Sequence, residues 1–249
     1  MVRLAGGTFQ MGSNTGVSNE KPVHAVTVRA FEMDLTEVTV AAYSKCVAAG
    51  GCTAASDTVD WKGIEDNDKK FWSPYCNQDK ADRQRHPVNC VDWAQADTYC
   101  RWAGKRLPTE EEWEFAARGT AGRLYPWGEA PPGPTLLNAC GDECVAFAKT
   151  LGKDWQKMFD GSDGFETTAP VGSFPAGKTP EGLLDMAGNV WEWTSSGYSK
   201  DYNEARTNEA RVRRGGSWGN GSPSNVRGAS RSRSGVGERG GDLGFRCAR

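Results

Sequence analysis

The chain has 249 residues, with 30 Lys and Arg against 32 Asp and Glu and a formal net charge of −2, which gives no general attraction to nucleic acid. Hydrophobic residues make up only 37%, yet 10 Trp, 9 Phe and 6 Tyr supply bulky area for a core, which excludes a wholly disordered chain. No apolar run approaches the roughly 18 residues that a membrane-spanning helix needs, and 31 Gly with 12 Pro argue for a loop-rich domain rather than a helical bundle.

Residues 1–33 alternate in two runs, GGTFQMG and HAVTVRAFEM, separated by polar Ser13 to Pro22, a pattern that predicts two strands and a connecting loop. Thr36 is expected to cap a first helix with Val38, Ala41, Ala42 and Cys46 at helical spacing, ended by Gly50 and Gly51. Residues 53–85 are polar, dotted with aromatics and without period; they read as an insertion held by Cys76, with no fold legible. A second helix starts near Asp92, turns Trp93, Ala96, Cys100 and Ala103 inward, and stops at Gly104. Thr109 and Glu112 fit the S/T-x-x-E capping box of a third helix, EEEWEFAARG. From Gly119 onward, segments such as YPWGEAPPGP and LLDMAGNVWEWT predict loops pinned by aromatics and then a small sheet. The simplest organisation is one domain over residues 1–249.

Eight cysteines include two close pairs, Cys46 with Cys52 and Cys140 with Cys144, where local disulfides are sterically possible. Zinc is the rival ligand, but no CxxC spacing occurs and the two histidines, His24 and His86, are isolated. Disulfides point to an oxidising compartment, so a periplasmic, cell-surface or secreted location is expected. The opening MVRLAGGTFQMGS has no basic and apolar signal pattern and reads as the first strand of a domain.

The ordered segments GGTFQMGS, EVT, HPVNCVDWAQADTYCRWAGKRLPTEEEWEFAARG, YPWGE, PVGSFPAG, GLLDMAGNVWEW, RGGSW and LGFRCA strongly resemble the formylglycine-generating enzyme, or sulfatase-modifying factor, family from Gly6 to Ala248. The resemblance implies an α+β fold, a variant of the C-type lectin fold. In the family's oxidases, two cysteines five residues apart, shortly after RGGS, bind copper(I) as soft thiolates. Those positions fall here on Asn220 and Asn225, beside a retained pocket serine, Ser217, so neither copper nor a catalytic residue is expected. The sulfoxide synthases that resemble the family use a three-histidine iron centre, for which two histidines are too few. Cys100 and Cys247 match a family disulfide, which leaves Cys76 to pair with Cys90 if the close pairs are local. The family also binds structural calcium. The matching oxygen-bearing positions are Asn138, Ala139, Asp163 and Phe165 for one site and Asn189, Val190 and Glu192 for a second, hard ligands suited to that ion. In the alternative reading Asn189 caps a turn and Glu192 accepts hydrogen bonds.

From Glu204 to Arg249 there are ten arginines against four acidic residues, a formal charge of +6. Two readings follow: a basic face for an anionic ligand or an acidic protein, or arginines that clamp loops through carbonyls and carboxylates. Residues 219–242 are rich in Gly, Ser and Asn and resemble the variable region of lectin-fold proteins diversified by retroelements. Together these features predict a non-catalytic, monomeric binding domain for a protein or anionic ligand, with its contact surface in residues 218–242. The candidate contacts are Ser217, Trp218, Asn220, Ser222, Ser224, Asn225, Ser230, Arg231, Ser232 and Arg233. Among them, Arg231 and Arg233 are expected to serve affinity without serving stability. An oxidative or cofactor-maturation enzyme using a cleft near Ser217 is the alternative, and a regulatory paralogue of an active oxidase is a third reading.

Overall fold

The first 33 residues form four short strands rather than two. In a computed structural model describing residues 1–249, β1 (Val2–Leu4) pairs antiparallel with β4 (Phe31–Met33), while β2 (Gly7–Met11) pairs with β3 (His24–Val28). The break lies at Gly6, whose φ is +73° and where a Cβ would sit 2.5 Å from the Val28 carbonyl oxygen. Glycine there lets one run change partners. Phe9 and Met11 alternate inward along β2, as the period of a half-buried strand requires.

Helix α1 (Val40–Ala48) is capped by Thr39, whose hydroxyl accepts from the Ala42 amide at 3.1 Å, and not by Thr36. The Val38 amide donates to the Phe245 carbonyl at 2.9 Å and Thr39 bridges to Pro87. The chain is thus held extended through Thr39, and the helix cannot begin at Thr36. In the insertion, α2 (Asp66–Trp72) is followed by the Cys76–Cys90 disulfide, which fastens the segment to the body of the domain. Helices α3 (Trp93–Trp102) and α4 (Glu110–Arg118) each open with a reciprocal capping box, Asp92 with Gln95 and Thr109 with Glu112. A further helix, α5 (Asp142–Thr150), occupies part of the stretch expected to be loop. It has no side-chain cap, and the Cys140–Cys144 disulfide ties its first turn to the preceding residues.

Four strands make the last sheet, in the order β7 (Ser232–Gly235), β6 (Ala210–Arg214), β5 (Trp191–Gly197) and β8 (Leu243–Gly244). Only the β5–β8 pair is parallel. One core packs α1 and α3 on this sheet through Tyr43, Tyr99, Trp193 and Phe245; the other lies between the N-terminal strands and α4 through Phe9, Met33 and Trp113. The remaining disulfides are Cys46–Cys52 and Cys100–Cys247, the latter joining α3 to the C-terminal segment. No helix is long and apolar enough to cross a membrane.

Candidate ligand-binding cleft

Two glycines after β6 set the position of the site. Gly215 and Gly216 have φ of +98° and +77°, and a Cβ on Gly216 would approach Val226 to 2.7 Å. The turn carries Ser217 and Trp218 onto one wall of a cleft of about 460 Å³, the size of a small-molecule site. The Ser217 amide donates to Asn220 Oδ1 at 2.8 Å, and Trp218 Nε1 donates to the Gly241 carbonyl at 3.2 Å. The insertion supplies Trp61 and Trp72, held over the cleft because Asp60 and Arg239 exchange backbone hydrogen bonds at 2.9 and 2.7 Å. Trp155, beyond α5, completes the aromatic lining: it stacks on Trp72 at 5.8 Å and 8° and leans on Trp218 at 6.0 Å. Arg213, Ser234, Glu238, Arg239 and Asp242 add polar groups.

The ten candidate contacts separate. Ser217, Trp218 and Asn220 line the cleft, whereas Ser224, Asn225, Ser230, Arg231 and Ser232 line a second cavity of about 140 Å³ with Glu20 and Arg227. The Ser222 hydroxyl accepts from the Ser224 amide, and exposed Arg233 lies over Tyr198 at 4.9 Å. Arg231 is corrected from a ligand contact to a clamp. It is 3% exposed, its Nε lies 2.6 Å from Glu110 Oε1, and its guanidinium donates to the Asn19 carbonyl at 2.7 Å. The residues not foreseen are the tryptophans of the insertion, Trp155 and Arg213; the 238–242 turn lies within the expected 218–242 surface, although none of its residues was among the named contacts. Clustered Trp in a polar, aperiodic segment was the only signal for the first of these.

Most of the C-terminal basic charge is neutralised. Seven of the ten arginines have a carboxylate partner: Arg206, Arg214, Arg227, Arg231, Arg239, Arg246 and Arg249. Fully buried Arg214 bonds Glu110 at 2.7 Å and Glu114 at 2.9 Å. These contacts, with the phenol of Tyr202, hold its guanidinium charged against the cost of burial. Clamping therefore accounts for this arginine pattern better than a basic face does.

The oxygen-bearing residues divide likewise. Glu192 accepts from Arg246 at 2.7 Å and from Trp113 Nε1 at 2.7 Å, and so is the partner of a buried guanidinium. Asn189, at φ +56°, accepts from the Ala169 amide through Oδ1, and the Val190 side chain is wholly buried. In the first set, Asp163 accepts from the Ala139 amide and the Phe165 amide, both at 2.9 Å. Burial pushes Asp163 up to about 7, with the nearby Glu143 carboxylate adding to the rise against the pull of the two amides. Both oxygens of Glu143 and Asn138 Oδ1 are buried without a donor. Asp163 and Glu143 are neighbours, and their carboxylates and the unsatisfied Asn138 Oδ1 have the hard-oxygen chemistry that calcium takes.

Five short helices, three small sheets and long ordered loops carry the glycine turn ahead of Ser217. This is the formylglycine-generating-enzyme variant of the C-type lectin fold. The chain belongs to the family of the sulfatase-modifying factor enzyme 1-like domain, whose family model matches residues 1–249. It is 37% identical over 236 residues to the formylglycine-generating enzyme of Mycobacterium tuberculosis, covering 79% of this chain and 73% of that one. It is 34% identical over 289 residues to the inactive C-alpha-formylglycine-generating enzyme 2 of Bos taurus, covering 100% of this chain and 87% of that one. The structure of PvdO from Pseudomonas aeruginosa superposes with a TM-score of 0.72 at 26% identity, over 99% of this chain and 92% of that chain.

Proposed function

We propose that the chain is a non-catalytic ligand-binding domain whose site is the tryptophan-lined cleft beside Ser217. The observation that carries this reading is the state of the cysteines. All eight are in disulfides, no free cysteine remains, and the two positions matching the oxidases' copper thiolates are Asn220 and Asn225. Copper(I) binding of that type needs soft thiolates, which an asparagine amide does not replace. Similarity to a relative whose name includes "inactive" supports the same direction. A structural calcium ion held by Asn138, Asp163 and Glu143 with the Ala139 and Phe165 carbonyls belongs to this reading, as does an oxidising location. Ser222, Ser224 and Asn225 are at least partly exposed on a short loop, so they can be exchanged with little effect on the core. This fits a surface that varies between copies.

The test has two arms. A cysteine-bearing sulfatase-type peptide, incubated with the protein, copper(I) and oxygen, is expected to show no aldehyde by mass spectrometry; turnover would overturn the non-catalytic reading. In the second arm, small-molecule fragments are screened by tryptophan fluorescence against the wild type and against Asn220→Trp, which fills the cleft. Fragments that bind the first and lose affinity for the second place the site in the cleft, and fragments indifferent to the change would remove it from there.

A further inference from the structure

We infer that the cleft selects a ligand carrying an organic cation, an alkylammonium or guanidinium group, rather than an anion. This rests on the cleft being the binding site. Two observations support it, one concerning the rings and the other the charges.

Cations already occupy aromatic faces elsewhere on the molecule: Arg211 lies over Trp93 at 4.2 Å, Arg213 over Trp191 at 5.0 Å, Arg231 over Tyr202 at 4.4 Å and Lys153 over Phe71 at 5.1 Å. Trp61, Trp72, Trp155 and Trp218 carry none of these contacts, although they are the rings that line the cleft. Tryptophan has the strongest face for a cation, and the attraction grows as the cation is desolvated. Trp72 and Trp155 cover each other's faces, so Trp61, which has neither a ring nor a cation partner, is the indole of the cleft that is left to a cation from outside.

The charges point the same way. Three carboxylates line the cleft, Asp60, Glu238 and Asp242, against two guanidiniums, Arg213 and Arg239. Arg239 is neutralised by Asp92 at 2.5 Å, and Arg213 is turned toward Trp191 and the Ser232 hydroxyl, 3.4 Å away. Lys69 approaches Asp60 only to 3.6 Å across a half-exposed gap, too loose a pair to neutralise it. Glu238 and Asp242 form no ion pair and remain as negative charge in the lining of an aromatic pocket. An anionic ligand would meet unpaired carboxylates, whereas an ammonium or guanidinium would meet both carboxylate and indole.

The probes are Gly-Lys-Gly and Gly-Arg-Gly, the acetyl-lysine counterpart Gly-Lys(Ac)-Gly and Gly-Glu-Gly, all N-acetylated and C-amidated so that only the side chain carries charge, and free putrescine, titrated against tryptophan fluorescence at low and moderate salt. The cationic peptides are expected to bind at least tenfold more tightly than the acetyl-lysine one, which keeps the lysine stem without its charge, and to weaken as salt rises. Putrescine binding as well as the peptides assigns the site to free amines; peptide binding without it assigns the site to basic side chains. The double variant Glu238→Gln, Asp242→Asn is expected to erase the preference for lysine over acetyl-lysine at an unchanged melting temperature. Equal binding of lysine and acetyl-lysine peptides, or tighter binding of the glutamate peptide, would overturn the inference while leaving the cleft as a binding site. If none of the probes binds, cation selection fails and the fragment screen alone decides whether the cleft binds ligands.

Discussion

Arg231 and Arg233 stand two positions apart and do opposite things. Arg231 is enclosed by Glu110, Asn19 and Ser199, while Arg233 rests on Tyr198 in solvent. Arg231→Ala strips Glu110 of a buried partner and is expected to cost about 3–5 kcal/mol in chemical denaturation, against roughly 0.5 kcal/mol or less for Arg233→Ala. Equal losses would show that the two are equivalent. Strand periodicity in ASRSRSG puts both on one face. The difference arises because Arg231 precedes β7 and turns in to a carboxylate on α4, far away in sequence, a relation no local pattern holds. Glu37 is a second case. Both its oxygens lack a donor, and the Asp185 carboxylate beside it takes the Gly172 amide at 2.6 Å. Burial, then Asp185, pushes Glu37 well above the usual carboxylate range, and burial raises Asp185. The folded state therefore holds more protons than the unfolded chain from about pH 4 upward, and this pair loses stability as pH rises through that window. Glu37→Gln supplies an amide donor in place of the proton. Its melting temperature relative to wild type is expected to rise between pH 5 and pH 8, and a difference independent of pH would refute the raised carboxyl of Glu37.

At the scale of elements, what was legible depended on whether the signal was local. The α4 capping box is contained in four residues, and the Thr109–Glu112 text placed it correctly. The start of α1 was misread because the extended bridge of Thr39 to Pro87 and the bond of Val38 to Phe245 are tertiary. Helix α5 was missed because it has no capping side chain and begins after a glycine. The disulfides give the corresponding prediction in energies. Cys100–Cys247 closes a loop with a sequence separation of 147, whereas Cys140–Cys144 spans 4. In the loop-entropy description, Cys100→Ala with Cys247→Ala should cost about 5 kcal/mol and Cys140→Ala with Cys144→Ala about 2 kcal/mol. Urea denaturation of the two double variants measures the difference, and an equal or reversed order would show that loop closure is not what these bridges contribute.

On the scale of the whole molecule, the cleft is assembled from residues 59–72, Trp155 and residues 213–243. The last segment was readable as a site because RGGSW and its serine, Ser217, resemble the family's pocket; the first was not, because Trp61 and Trp72 become cleft walls only through the strand-like bridge to Arg239 and the Cys76–Cys90 link. The residues of the proposed calcium site, Glu143 and Asp163, stand on either side of Trp155 in the sequence. If calcium bridges those two carboxylates, the folded state alone offers the ligand set, and calcium at a hundred times its dissociation constant should stabilise the domain by about 2.7 kcal/mol. Melting temperature is therefore expected to rise with calcium and fall after chelation, with magnesium a poor substitute because it demands a tighter octahedral shell. Glu143→Gln sharpens the test: removing one of two facing charges should raise the melting temperature of the calcium-free protein and shrink the increment that calcium adds. A variant that keeps the full increment would show that Glu143 is not a ligand, and a wild-type protein indifferent to both calcium and chelator would leave the two carboxylates as an acid pair that shares a proton without an ion.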